Sequence, residues 1–69
     1  MKIVLSYHAQ KRMKQRKISM KEVTDTIEMP DFTVRKGEKI EAHRKFDTKD
    51  IKVIYAEDKY INVITVMIK

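Results

Sequence analysis

The chain has two histidines, His8 and His43, and the first stands four residues before Arg12 and eight before Arg16. On a helix that spacing stacks His8, Arg12 and Arg16 along one ridge. An imidazole beside two permanent cations suits a phosphodiester, because it supplies a proton carrier and two stabilisers of a pentacoordinate phosphorane. Each residue also has an ordinary reading. His8 near a helix start can cap it or lie half-buried, Arg12 can pair with a carboxylate from a later strand, and Arg16 can donate to backbone carbonyls at a turn. Around the triple, Lys11, Lys14 and Lys17 supply charge for a phosphate backbone. In a strand from Ile40 to Phe46, the parity opposite Ile40, Ala42 and Phe46 carries Glu41, His43 and Lys45, which form a polar row if that face is open. His43 and Lys45 are therefore further RNA-contact candidates. Tyr7, Tyr55 and Tyr60 are candidates for base stacking, with core or rim packing as the alternative.

Charge supports a polyanionic partner. Lys plus Arg is 16 against 10 for Asp plus Glu, a net +6. Residues 1–21 hold seven basic side chains and no acidic one, so the remaining 48 hold nine basic and ten acidic. The whole excess belongs to the amino-terminal third, and a one-sided cationic surface attracts nucleic acid through counterion release. A solvated lysine face is the competing account.

Other chemistries are disfavoured. The chain has no Cys, which removes thiolate nucleophiles and zinc-thiolate sites and fits a reducing, cytoplasmic setting. One Gly does not build a phosphate-cradling loop, two histidines give no metal spacing, and Ser19 is accounted for as a helix cap. The expectation is no cofactor and no metal. The first residues turn polar before a signal-peptide core forms, and the longest apolar stretch, Tyr60 to Ile68, falls far short of the ~20 residues of a membrane span.

The elements that position these residues read as α+β in one domain, 1–69. A short strand at Lys2 to Leu5 precedes a first helix from Tyr7 to about Lys17, free of Val, Ile and Thr and capped by Ser6. On it, Leu5, Ala9 and Met13 form the apolar stripe, with Lys11 and Lys14 on the solvent side. Ser19-Met20-Lys21-Glu22 is a capping-box pattern opening a second helix to about Met29, which buries Met20, Val23 and Ile27 before Pro30 stops it. Afterwards the period changes to two. Phe32 and Val34 alternate with Thr33 and Arg35, Lys36-Gly37-Glu38-Lys39 reads as a hairpin turn, and strands follow at Ile40 to Phe46, Ile51 to Ala56 and Tyr60 to Ile68. The last is apolar on both parities, as for a central strand. Two helices on a curved, mainly antiparallel sheet of about four strands result.

From His8-Ala9-Gln10-Lys11-Arg12-Met13-Lys14-Gln15-Arg16 through Lys17-Ile18-Ser19, the chain resembles a bacterial and archaeal family of small uncharacterised domains. Its signature is His-Ala-x-x-Arg-Met-x-x-Arg, a short turn, then Ile-Ser or Ile-Thr. The resemblance continues through Glu22 to Glu28, Met29-Pro30-Asp31 and Val63-Ile64-Thr65-Val66. Lys17 stands where that family often has a small residue, and Met67 where it often has an aromatic one. The family is in turn similar to the RelE-like ribonuclease toxins and their barnase-like relatives. That likeness implies a RelE/barnase-like fold and metal-independent RNA cleavage, as in the mRNA interferase of a toxin–antitoxin pair, with His8, Arg12 and Arg16 as the matching site positions. RNA, free or on the ribosome, and an acidic antitoxin protein are the implied partners, with a homodimer as a further alternative. The alternatives are a non-catalytic nucleic-acid-binding module, since the two short helices around Lys17-Ile18-Ser19 resemble part of a helix-turn-helix, and a protein-interaction domain using the Tyr60 to Ile68 strand as an edge.

Overall fold

A computed structural model describes residues 2–69. In chain order the elements are β1 (Ile3–Leu5), α1 (Tyr7–Arg16), α2 (Met20–Glu28), β2 (Phe32–Lys36), β3 (Lys39–Lys45), β4 (Asp50–Glu57) and β5 (Ile61–Ile68). The strands form one sheet in the order β1-β5-β4-β3-β2. The last four strands pair antiparallel in sequence. β1 lies parallel to β5, with Ile3 opposite Ile61 and Leu5 opposite Val63. The sheet is thus mixed and five-stranded, where about four strands were expected.

Local chemistry explains most boundaries. Between the paired Lys36 and Lys39 the hairpin loop is two residues long, and Gly37 takes φ 64° at its first position, where a side chain would be disfavoured. Ser19 and Glu22 form a full capping box: the Glu22 amide donates to the Ser19 hydroxyl oxygen and the Ser19 amide donates to the Glu22 carboxylate. Lys49, in the β3–β4 turn, donates to that carboxylate at 3.0 Å and to the Lys17 carbonyl, tying the end of α1 and the start of α2 to the sheet.

Both helices cover the same face of the sheet, α1 over β5 and β1, α2 over β4 and β3. The core lies between them, with Ile51, Val53, Val63 and Val66 of the sheet meeting Ala9, Val23 and Ile27 of the helices. Val23, Thr26 and Ile27 are the buried residues of α2, and Met20, expected with them, is 41% exposed. On the helical wheel Met20 lies on the Ile27 side of Val23 and Thr26 on the other side, so the buried arc is turned toward Thr26. The Thr26 hydroxyl satisfies itself on the Glu22 carbonyl at 2.7 Å. Tyr55 is a core residue at 8% exposure and does not present its ring for stacking. Burial pushes its phenol up, Glu57 adds to the rise and Arg35 opposes it.

β5 is internal, as its two apolar parities imply, so it offers no edge to a partner; the edges are β1 and β2. β2 is exposed at all five residues. Among the described residues no helix is long and apolar enough to cross a membrane.

Candidate nucleic-acid interface

Ser6 fixes where α1 starts. Its backbone amide donates to the Val63 carbonyl at 3.0 Å, its hydroxyl donates to the Ile64 carbonyl at 2.8 Å, and its oxygen accepts from the Ala9 amide at 2.9 Å. Ile64 is the residue left over where the β4–β5 register shifts, since Ile54 faces Thr65 while Tyr55 faces Val63. Anchored there, α1 buries Ala9 completely and packs Met13 against the core. At its far end Lys17 takes the left-handed conformation (φ 54°, ψ 45°), which ends the helix and delivers Ile18 into the core.

This placement sets the chemistry-bearing side chains. His8 and Arg16 are exposed and Arg12 is half-buried, on the single ridge their spacing requires. Lys11, Lys14 and Lys17 are exposed beside them. Among the described residues none of these six forms an ion pair; the pairs present are Lys21–Asp25, Lys36–Glu41, His43–Glu41, Lys49–Glu22 and Lys69–Asp50. Four carboxylates, Glu22, Asp25, Glu41 and Asp50, are paired with cations elsewhere, and the cationic surface of α1 keeps its field. Lys14 and Arg16 also lie in the last turn of the helix, where its dipole favours positive charge.

His43 and Lys45 do not join this surface. They lie on the sheet face away from the helices, Lys45 exposed but His43 only 7% exposed. The reason is a cross-strand neighbour: Phe32 of β2 is in register with His43 and its ring stacks on the imidazole, centroids 4.4 Å apart and planes 10° from parallel. Both imidazole nitrogens are buried without a hydrogen-bond partner, Nε2 lying 3.5 Å from a Glu41 oxygen. The Glu41 carboxyl is held below the usual range, chiefly by its hydrogen bond from Lys36, with burial opposing, and then by the charges of Lys36 and Lys52. A second proton carrier cooperating with His8 is therefore absent from the α1 surface.

Two open hollows mark the molecule. One, of ≈ 450 Å³, lies between the β2–β3 and β4–β5 turns and is rimmed by Arg35, Glu38, Glu57 and Asp58, a predominantly acidic lining. The other, of ≈ 410 Å³, is on α1 itself, lined by Tyr7, Gln10, Lys11 and Lys14. The latter is the concave part of the cationic surface, and neither hollow includes His8, Arg12 or Arg16. Sequence reasoning named Tyr7, Lys11 and Lys14 separately but passed over Gln10; the i, i+3, i+4, i+7 spacing of the four was the signal that grouped them. Among the described residues no cluster of His, Cys, Asp and Glu could hold a metal ion.

Residues 5–68 match the model of a family described as Domain of unknown function (DUF4258). No curated protein and no solved structure matches the chain.

Proposed function

The chain belongs to the family DUF4258, and we propose that it is a RelE-like, metal-independent endoribonuclease, the mRNA interferase of a toxin–antitoxin pair. One observation carries the reading: His8, Arg12 and Arg16 occupy a single ridge of α1, and no carboxylate pairs with any of them. In the reaction, Arg12 and Arg16 neutralise the scissile phosphate while the ribose 2′-oxygen attacks phosphorus. A 2′-O–P bond forms, the P–O5′ bond breaks, the 2′-proton is removed and the 5′-oxygen is protonated, leaving a 2′,3′-cyclic phosphate. His8 carries one of those protons and solvent water the other. Two helices on one face of a mainly antiparallel sheet are the architecture that a RelE-like fold calls for. An acidic antitoxin would complement the same cationic helix, and the RNA can be met free or on the ribosome, so both conditions belong in the assay.

Purified protein incubated with RNA, with and without ribosomes, tests the assignment. The expected result is cleavage with cyclic-phosphate ends that falls at least ~100-fold in the His8→Ala, Arg12→Ala double variant. Cleavage unchanged in that variant would falsify the roles given to these residues.

A second reading, binding of RNA without turnover, is favoured by the position of the hollows, since the concave part of the α1 surface holds Tyr7, Gln10, Lys11 and Lys14 and no imidazole. It gives salt-sensitive retention of RNA and no product in the same experiment.

A further inference from the structure

The α1 hollow has more chemistry than a patch of positive charge. Tyr7 is 81% exposed, so the faces of its ring are open to a planar group. Gln10, one helical turn on, is held in place: its Nε2 donates to the Leu5 carbonyl at 3.2 Å. A carbonyl only accepts, so this contact fixes which end of the amide is which. The Gln10 Oε1 makes no hydrogen bond among the described residues, and Nε2 retains a second hydrogen. The side chain thus presents an acceptor and a donor side by side. Lys11 and Lys14, four and seven residues after Tyr7, close the stripe with two cations that no carboxylate neutralises. A volume of ≈ 410 Å³ has room for one nucleotide.

We propose that this hollow is a nucleotide subsite for single-stranded RNA that prefers adenine. The adenine ring stacks on Tyr7, its N6 amino group donates to Gln10 Oε1 while its N7 accepts from Gln10 Nε2, and Lys11 and Lys14 hold the flanking phosphates. Stacking on an aromatic ring is sequence-tolerant and supplies affinity. The two-point amide contact supplies the choice on the N6/N7 edge, where adenine offers a donor beside an acceptor and uracil offers only its O4 acceptor. This inference rests on the RNA reading above and adds to it which base is read and by which residues. None of its four residues belongs to the His8, Arg12 and Arg16 ridge, so it holds whether or not RNA is cut.

The test uses fluorescence anisotropy with two labelled hexamers, U6 and U6 carrying a single internal A, at low and moderate salt. Wild-type protein is expected to bind the adenine-containing hexamer about tenfold more tightly. Gln10→Leu should abolish that preference while leaving the affinity for U6 in place. Tyr7→Ala should weaken both hexamers at least ~5-fold and Tyr7→Phe should restore them. Met29→Ala, at an apolar residue 57% exposed at the end of α2, is the control that should change nothing. Equal binding of the two hexamers, or a preference that survives Gln10→Leu, overturns the proposal. Displacement of both hexamers by hexaglutamate at the same concentration as by unlabelled U6 also overturns it, by showing a surface that responds to charge alone. If neither hexamer binds even at low salt, the RNA reading itself fails, an outcome distinct from binding without base choice. Because Tyr7 and Gln10 are exposed, their replacement leaves the core intact, which the circular-dichroism melt of each variant verifies.

Discussion

The Ser6 hydroxyl donates to the Ile64 carbonyl at 2.8 Å across 58 residues of sequence, joining the first turn of α1 to the bulge of β5. The same oxygen caps the helix, so one side chain satisfies both a helix-terminal amide and a carbonyl that the irregular ladder leaves over. Ser6→Ala removes both bonds and should destabilise the fold by about 2 kcal/mol. For a domain of this size the loss lowers the melting temperature by roughly 8–16 °C. An unchanged melt would mean that β1 and Ala9 hold α1 without the cap.

At the other end of α1, Lys17 carries φ 54° with no glycine to make it cheap. Lys17→Gly should therefore stabilise the chain by about 1 kcal/mol, read as a rise of several degrees in the melting temperature. The Lys49 bond to the Lys17 carbonyl survives the change because it uses the backbone. A lower melting temperature would show that the lysine stem contributes more by packing than the left-handed backbone costs.

Acid should unpick α2 first. The Glu22 carboxyl lies below its ordinary value of 4.5, chiefly because the Ser19 amide donates to it, with Lys49 adding to the effect and burial opposing it. A carboxyl whose pKa is depressed by folding contributes stability that is fully present above the unfolded value and is lost as pH falls through the folded one. Chemical denaturation from pH 6 to pH 3 should show stability declining below about pH 4.5, with a shallower decline for Glu22→Gln; equal slopes for the two proteins would remove Glu22 as the cause.

Lys11 and Lys14 make a separate, sequence-independent forecast. If each neutralises one phosphate, Lys11→Gln and Lys14→Gln should each reduce the slope of log K against log salt by about 0.7 for single-stranded RNA. Both should weaken U6 and its adenine-containing version alike. A slope that stays at the wild-type value in the double variant places the RNA elsewhere.

What could be read from the chain and what could not divides along the range of the interactions. The Ser6 cap on the Ala9 amide, the Ser19–Glu22 box and Gly37 each act within four residues, and the helices and hairpin fall where those residues put them. The two apolar parities of the last strand marked it as internal, and it is. The parallel pairing of β1 with β5 had no local signature, because a three-residue strand carries too little pattern to name a partner some 60 residues away. Parity put His43 on the correct face, opposite Ala42, but its burial depends on Phe32 standing directly across from it, and only the register of β2 against β3 makes that pair. Helical spacing groups Tyr7 with Gln10, but the orientation of the Gln10 amide depends on the Leu5 carbonyl, which a helical wheel does not reveal.

The fully exposed β2 strand is an open hydrogen-bonding margin, the kind on which identical chains can template one another. Here that margin ends in Arg35 and Lys36, with Lys39 facing Lys36 across the turn. A second copy laid along it parallel and in register would bring Arg35 against Arg35 and Lys36 against Lys36. The rail is thereby guarded against self-stacking into fibrils, and replacing Arg35 and Lys36 with threonine would take the guard away.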